Sequence, residues 1–374
     1  MFFCRLVAIG LLLLPFHSSA AVATRHSTRK TSTGSASLST PRRRARTKPA
    51  RQTWTEPSIA DSTAGDLVDG EDLTVRQAAV EALGPLNGSV VVVDPNTGRV
   101  LSMVNQKLAL ASGFTPCSTV KVPVALAALN EGVISLHTKL RLASHWYMNL
   151  TDALAISNNV FFARLGEALG FERVKQYLRL FGYGEKAGWN IPGEQLGTLP
   201  DGPPKLGVGR LTSFGEAIQA TPLQQAAFIS ALANGGTLYY LQYPRTEDEL
   251  GQFVPKVKRR LDIARLIPYV LPGMTAAVQR GTARRAYDPS DPIIGKTGTC
   301  SQDGARLGWF TSYNDLGNRL VVVVLLRGGR STFGPRAAEV AGRIYKNLTE
   351  KNYFAAHRVL TPAAFIAGES CCAR

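Results

Sequence analysis

A serine and a lysine stand three positions apart at the start of an apolar run. Ser118 and Lys121 follow Pro116, and apolar side chains recur at helical spacing through residues 122–130. Residues three apart lie on one face of a helix, so the two side chains are expected to be neighbours. A serine hydroxyl needs a base within hydrogen-bond reach to act as a nucleophile, and a buried lysine with a lowered pKa can be that base. The pair predicts nucleophilic catalysis, with a capped helix and a solvated lysine as the alternative.

Two further motifs carry polar side chains that suit a peptide substrate with a free carboxylate. Residues 296–299, Lys-Thr-Gly-Thr, are cationic and rich in hydroxyls, and Gly298 lets a substrate backbone approach closely. Residues 157–159, Ser-Asn-Asn, lie in a loop between two predicted helices. Singly, an edge strand with a protective lysine and a simple turn would explain the two motifs. Their occurrence together with the serine and lysine favours a catalytic cleft.

The elements that must hold these motifs are strands near both ends of the chain and helices between them. Two β-rich runs, residues 89–94 and 99–104, flank a Pro-Asn-x-Gly turn that is typical of a hairpin. Further strands are predicted at residues 293–299, 306–313 and 319–327. Helices are predicted at residues 73–83, 150–157, 160–169, 173–181, 221–234, 271–285 and 335–347.

This arrangement predicts one antiparallel sheet closed by the two ends of the chain. The fold class is α/β, of the α+β kind, with helices flanking the sheet. An all-helical second lobe, at about residues 119–285, is inserted in the sheet lobe. With 374 residues, of which 45% are hydrophobic, the chain can bury at least one large core. The active site is expected in the cleft between the lobes.

The three motifs occur in the order Ser-x-x-Lys, Ser-x-Asn and Lys-Thr-Gly, the set found in serine enzymes that recognise penicillin. The chain resembles the transpeptidase domain of penicillin-binding proteins over about residues 75–348. The resemblance also includes residues 91–98, 153–162, 220–224, 233–236 and 281–282. It implies a β-lactamase/transpeptidase-like fold and a peptidoglycan D,D-transpeptidase that β-lactam antibiotics inhibit covalently. No cofactor is expected, and no spacing of His, Cys or Asp suggests a metal site.

The resemblance implies a role for each residue of the helical motifs. Ser118 would attack the carbonyl between the two D-alanines of a peptidoglycan stem peptide, and Lys121 would take the serine proton. Ser157 would relay that proton to the leaving amine, while Asn159 would bond to the substrate amide. The product of this step would be an acyl-enzyme on the serine.

The facing strand would bind the substrate and stabilise the developing charge. Lys296 would keep the site positive and support the middle serine, and Gly298 would let the substrate lie close. Thr297 and Thr299 would offer hydroxyls to the substrate carboxylate. The backbone N–H groups of Ser118 and Thr299 would form the oxyanion hole.

The positive charge of the chain is unevenly distributed. The formal net charge is +16, and residues 24–52 contain nine Lys and Arg and no Asp or Glu. Such a segment attracts anionic surfaces, but it lacks the interleaved aromatic residues that would indicate nucleic-acid binding, so no nucleic acid is expected. A basic disordered linker is predicted at residues 24–70.

Residues 1–23 have the pattern of a secretory signal peptide. Arg5 precedes an apolar run, residues 6–16, that is short for a membrane span, so cleavage is favoured over anchoring. Export to the periplasm or cell envelope is therefore expected. The transpeptidase domain is placed at residues 71–350 and a C-terminal tail at residues 351–374.

The four cysteines beyond the signal peptide do not form a pattern typical of a disulfide framework. Cys371 and Cys372 are adjacent in the tail, whereas Cys117 and Cys300 each adjoin a motif. Buried unpaired thiols are expected at Cys117 and Cys300, and a bridge between them is the alternative.

Three alternative functions stay open. The sequence ahead of the motifs shows neither a glycosyltransferase domain nor an obvious dimerisation domain, which keeps a D,D-carboxypeptidase in consideration. Residues 118–123 and 181–184 resemble class D β-lactamases, but Asn159 and Glu185 depart from that group. A non-catalytic sensor of β-lactams or wall fragments is disfavoured, because such sensors carry transmembrane helices and a signalling domain.

Overall fold

Strands from both ends of the chain meet in one sheet. The computed structural model describes residues 53–356. The strands are β1 (Gly88–Val93), β2 (Val100–Val104), β3 (Leu140–Ala143), β4 (Trp146–Met148), β5 (Thr237–Tyr240), β6 (Lys256–Arg260), β7 (Ile293–Gln302), β8 (Ala305–Asn314) and β9 (Val321–Gly328). The main sheet is antiparallel with the order β2-β1-β9-β8-β7, which confirms the predicted fold class and leaves β7 at an edge.

Helices cover both faces of this sheet, and most of them lie between β2 and β7 in the sequence. They are α1 (Leu73–Leu83), α2 (Gln106–Ala109), α3 (Lys121–Asn130), α4 (Leu150–Ala155), α5 (Asn159–Leu169), α6 (Phe171–Leu180), α7 (Val208–Phe214), α8 (Pro222–Ala233), α9 (Glu247–Gly251), α10 (Ile267–Gln279), α11 (Gly334–Glu350) and α12 (Tyr353–Ala356). Two 3-10 helices, Cys117–Val120 and Arg284–Ala286, complete the set. Among the described residues, no helix is both long enough and apolar enough to cross a bilayer.

The central strands are buried on both faces. Val90 and Val92 of β1 pack in one apolar cluster with α1 and α11, and Val91 and Val93 pack in another with α3, α5 and α8. Successive side chains of a strand point to opposite faces, so a run of four valines supplies both clusters. This explains why β1 and β9 have continuous apolar sequences, without the alternation of a half-exposed strand.

The predicted all-helical lobe needs a correction, because it contains two small antiparallel sheets. β3 pairs with β4, and β5 pairs with β6. The sequence of β6 is Lys-Val-Lys-Arg-Arg, and none of its side chains is fully buried. Strands of this kind lack the alternating apolar pattern that would predict them.

The predicted linker also extends too far toward the C-terminus. Thr55 N–H donates to Gly304 O at 3.0 Å, and the Asp66 carboxylate accepts from the backbone N–H groups of Asn105 and Gln106, at 2.8 Å each. Polar bonds rather than apolar burial hold this segment, which is why its composition suggested disorder. The predicted signal peptide, residues 24–52, and residues 357–374 with Cys371 and Cys372 lie outside the described residues.

Candidate active site

The turn that carries the candidate nucleophile is a 3-10 helix, so the α-helix begins later than predicted. Ser118 lies within Cys117–Val120, and Lys121 is the first residue of α3. Cys117, Thr119 and Val120 are buried, whereas Ser118 is partly exposed. The Ser118 N–H belongs to the first turn of the helix, where backbone donors have no intrahelical acceptor. The turn thus combines a partly exposed serine with a backbone N–H group that has no intrahelical acceptor.

A series of buried side-chain hydrogen bonds supports this turn. The Thr119 hydroxyl donates to Pro116 O at 2.7 Å and accepts from Gln225 Nε2 at 2.8 Å. The Tyr183 hydroxyl donates in turn to Gln225 Oε1 at 3.2 Å. Gln225 and Tyr183 were not predicted as site residues, because their sequence neighbourhood gives no sign of contacts between residues 106 and 42 positions apart.

Lys121 lies at the centre of the candidate site. Its Nζ donates to Ser157 O at 2.7 Å, to Ser157 Oγ at 3.0 Å and to Asn159 Oδ1 at 2.7 Å. Within residues 53–356, no hydrogen bond joins this Nζ to the Ser118 hydroxyl. The lysine side chain therefore connects the nucleophile's helix to the Ser-Asn-Asn loop.

Burial makes Lys121 a candidate base. Its residue exposure is 0%, and desolvation together with the charge of Lys296 lowers its pKa to about 6. Removing an ammonium from water disfavours its charged form, and a second cation nearby has the same effect. At neutral pH the Lys121 amine is therefore mostly uncharged. In that form it donates only two of its three contacts, and its lone pair can accept a proton.

The middle motif is held in the loop that joins α4 to α5. Ser157 has a φ of 57°, in the left-handed region, and its N–H donates to Leu154 O at 3.2 Å. Asn158 caps α5 by accepting from Phe161 N–H at 2.8 Å. The cap turns Asn158 toward the helix, so Ser157 and Asn159 on either side of it face Lys121.

Lys296 is fully buried on β7. Its Nζ donates to Thr297 O at 2.9 Å, and desolvation lowers its pKa to about 7. No hydrogen bond in the described part of the chain joins Lys296 to Ser157, the residue that it was predicted to support. The contribution that the structure supports is electrostatic, through the pKa of Lys121.

Two threonines of β7 are held by residues that the sequence analysis did not assign to the site. The Thr297 hydroxyl lies 2.6 Å from the Thr282 hydroxyl, and Thr299 Oγ1 accepts from Gly334 N–H at 2.7 Å. Thr282 N–H donates to Ala155 O at 3.1 Å, which ties the threonine pair to the end of α4. The Thr299 hydroxyl keeps its own proton for a further hydrogen bond. Thr282 belongs to the resemblance, but no role was inferred for it.

The candidate serine turn is docked on the strand that carries the third motif. Trp309 Nε1 donates to Thr115 O at 2.9 Å, and Thr115 N–H donates to Gln302 Oε1 at 2.7 Å. A Cβ on Gly298 would lie only 2.9 Å from Pro116 O, so the strand needs glycine at the point of contact. Ser118 and the Lys-Thr-Gly-Thr stretch are thereby brought together.

The expectation of unpaired thiols at Cys117 and Cys300 was wrong. The two sulfurs form a disulfide that joins residues 183 positions apart, with the Cα atoms separated by 5.5 Å. The sequence spacing did not indicate this pair, since only the docking of the turn on β7 brings the cysteines together.

Comparison with known proteins gives a consistent result. Residues 88–350 match the family model of the penicillin binding protein transpeptidase domain. Stage V sporulation protein D of Bacillus subtilis is 29% identical over 263 residues, which cover 60% of this chain and 40% of that protein. Peptidoglycan D,D-transpeptidase MrdA of Acinetobacter baumannii is 24% identical over 313 residues, covering 64% of this chain and 45% of the relative.

The structural comparison concerns the fold. The crystal structure of the D,D-transpeptidase domain of a peptidoglycan glycosyltransferase from Eggerthella lenta superposes with a TM-score of 0.60 at 20% identity, covering 75% of this chain and 82% of that one. The chain spans less than half the length of the curated relatives described above.

Proposed function

Because the chain belongs to the penicillin-binding protein transpeptidase domain family, we propose that it is a serine-type peptidoglycan D,D-transpeptidase. The substrate would be a stem peptide that ends in D-Ala-D-Ala, and β-lactam antibiotics would acylate the same serine. The observation that carries the proposal is the buried Lys121 amine, which lies on the helix that follows Ser118 and bonds to Ser157 and Asn159. A nucleophile, a base and a second hydroxyl in one cleft are the requirements of acyl transfer.

Acylation would proceed through Ser118. Its oxygen attacks the carbonyl carbon between the two D-alanines while the hydroxyl proton passes to the uncharged Lys121 amine. Ser157, 3.0 Å from that amine, gives its own proton to the leaving nitrogen and regains one from Lys121. The C–N bond breaks, and D-alanine leaves with the peptide acylated on Ser118.

The strand β7 would bind and polarise the substrate. The backbone N–H groups of Ser118 and Thr299 would stabilise the negative oxygen of the tetrahedral intermediate, a contribution of about 3 kcal/mol per donor in comparable sites. The hydroxyls of Thr297 and Thr299 would donate to the terminal carboxylate. Lys296 would add positive charge beneath them.

Deacylation would decide between transpeptidase and carboxypeptidase. An amine of a second stem peptide that attacks the acyl-enzyme gives a cross-link, whereas water gives a shortened peptide. The test is incubation of the purified protein with a D-Ala-D-Ala stem peptide, with and without an acceptor amine. Cross-linked product supports the proposal. Free D-alanine alone would favour the carboxypeptidase, and rapid nitrocefin hydrolysis with neither product would favour the β-lactamase.

The nucleophile can be tested separately with a fluorescent penicillin. Covalent labelling of the wild-type protein that is lost in Ser118→Ala supports the assignment, and retained labelling in that variant would overturn it. Ser112→Ala is a suitable control, since Ser112 is exposed and lies six positions before the nucleophile.

The cellular location that we propose is inferred from the sequence. A signal peptide at residues 1–23 would direct the protein to the periplasm or cell envelope, where its substrate is found. The cationic residues 24–52 would contact an anionic surface there. Detection of the mature N-terminus by mass spectrometry would test the cleavage.

A further inference from the structure

We propose that the Cys117–Cys300 disulfide positions the two N–H groups of the oxyanion hole, so that acylation of Ser118 depends on the redox state of this bridge. The inference rests on the proposed function, because the oxyanion hole belongs to that function. Neither cysteine would touch the substrate, so the pair is a positioning element rather than a catalytic one.

The bridge lies at the junction of the two halves of the oxyanion hole. Cys117 directly precedes Ser118, and Cys300 directly follows Thr299. Each cysteine is therefore bonded through a peptide unit to a residue that supplies one N–H donor. Within residues 53–356 this disulfide is the one covalent tie between the nucleophile's turn and β7. The separation of the two donors is accordingly coupled to the separation of the two sulfurs.

The backbone conformation on the turn side is one that its surroundings must hold. Cys117 has a φ of 51°, in the left-handed region that a residue with a side chain adopts only when its surroundings hold it there. Two hydrogen bonds, those of Thr115 with Trp309 and Gln302, act in the same direction but join the turn two residues farther from the serine. The disulfide acts at the residue next to the nucleophile.

Reduction removes the covalent tie between the turn and the strand. The turn is then held on β7 and its neighbour β8 by packing and by hydrogen bonds such as those of Thr115. Gly298 contacts the turn closely, since a Cβ there would lie 3.2 Å from Cys117 Cβ, so a shift of the turn changes the spacing at this contact. A misplacement of 1 Å in a catalytic site can lower a rate by about 100-fold.

The bridge is accessible to a reductant from one side. Cys300 is partly exposed, while Cys117 has an exposure of 1%. A thiolate of dithiothreitol would attack Cys300 Sγ, and the sulfur–sulfur bond would break with Cys117 leaving as a thiolate that takes up a proton. The second thiol of dithiothreitol then attacks the mixed disulfide, which releases Cys300 as a thiol and oxidises the reductant to its cyclic disulfide.

The experiment compares the full chain in three forms: oxidised, reduced with dithiothreitol and then desalted under argon, and the variant Cys117→Ser/Cys300→Ser. The limiting rate of acylation and the apparent affinity for a fluorescent penicillin are measured at a temperature at which circular dichroism shows all three folded. We expect the limiting rate to fall about 10-fold or more in the reduced form and in the variant, with little change in affinity. Reoxidation should restore the rate of the wild type alone. Equal limiting rates in all forms would overturn the proposal.

Two controls distinguish a failure of this proposal from a failure of the proposed function. The variant Cys371→Ser/Cys372→Ser should respond to reduction as the wild type does, because its bridge is intact. Mass spectrometry of a non-reduced digest should show the Cys117 and Cys300 peptides linked, and free thiols at both positions would overturn the proposal even if the serine variant cannot fold. Absence of labelling in the oxidised wild type would instead reject the proposed function itself.

Discussion

At the scale of single residues, the lowered pKa of Lys121 is the property on which acylation depends. We expect Lys121→Ala to reduce the rate of penicillin labelling by roughly 100- to 10,000-fold, the usual contribution of a general base. Lys121→Arg should be equally impaired although it keeps a cation, because a guanidinium does not lose its proton at neutral pH. The measurement is the second-order rate constant of labelling.

The control for these variants is a lysine outside the cleft. Lys139 is exposed, so Lys139→Ala should label at the wild-type rate. Full activity of Lys121→Arg would show that the amine acts as a fixed charge rather than as a base.

The pH dependence of acylation should report the same group. Burial and the charge of Lys296 lower the pKa of Lys121 to about 6, so the uncharged amine accumulates as the pH rises through 6 and the acylation rate should rise with it. In Lys296→Gln the second cation is removed, which favours protonated Lys121 and raises its pKa. The rising limb should therefore move to higher pH, as measured from labelling rates between pH 5 and 9. If the acylation rate of Lys296→Gln rose over the same pH range as that of the wild type, the charge of Lys296 would not influence the pKa of Lys121.

The sequence predicted which residues form the candidate site better than it predicted the contacts that these residues make. Two residues named from motifs, Ser157 and Asn159, each place a side-chain oxygen within 3.0 Å of the Nζ of a third, Lys121. The partners of Thr297 and Thr299 were not found, because Thr282 and Gly334 reach them only through the packing of distant elements. Short motifs specify local chemistry, whereas contacts over long sequence separations follow from the tertiary fold.

At the scale of elements, the approach of the 3-10 helix to β7 determines the shape of the site. In Gly298→Ala, the new Cβ would lie 2.9 Å from Pro116 O and 3.2 Å from Cys117 Cβ. We expect the turn to be pushed off the strand, with a loss of about 1–3 kcal/mol of stability, typical of overpacking, and a lower rate of labelling. Thermal unfolding and labelling rates measure the two effects.

Gly251→Ala provides the matched glycine control. A Cβ at Gly251 meets nothing within 4 Å, so this substitution should leave both the melting temperature and the labelling rate close to wild type. If Gly298→Ala behaved like this control, the close contact between turn and strand would not constrain the site.

The elements themselves were predictable where the apolar pattern was strong. The helix predicted at residues 73–83 is found as Leu73–Leu83, and β1 and β9 follow their valine-rich runs. Predictions of elements failed where the pattern is weak: a 3-10 helix takes the place of the first α-helical turn at Ser118, and the short strands β3 to β6 lie in the lobe predicted as all-helical. In both cases the decisive contacts are with other parts of the chain.

At the scale of the whole molecule, a buried polar cluster joins segments that the sequence does not place together. Arg76 of α1 donates to Asp66 at 2.7 Å, to Met103 O at 3.0 Å and to Glu71 at 3.5 Å. Glu71 also accepts from the Tyr243 hydroxyl, which comes from the region between β5 and β6. The cluster thus connects the N-terminal segment, the sheet and the inserted lobe.

Because Arg76 takes part in this connection, substituting it tests whether the cluster holds these three parts of the chain together. Its side chain is 10% exposed and the Glu71 carboxylate is 0% exposed, so Arg76→Met would leave a buried carboxylate without its cation. Removing one partner of a buried ion pair costs about 3–5 kcal/mol, and we expect a loss of that size in the free energy of unfolding from urea denaturation. Arg343→Ala removes an exposed ion pair with Glu339 and should change the same quantity by at most about 1 kcal/mol. Equal effects of the two substitutions would mean that the Arg76 cluster does not hold the N-terminal segment against the sheet.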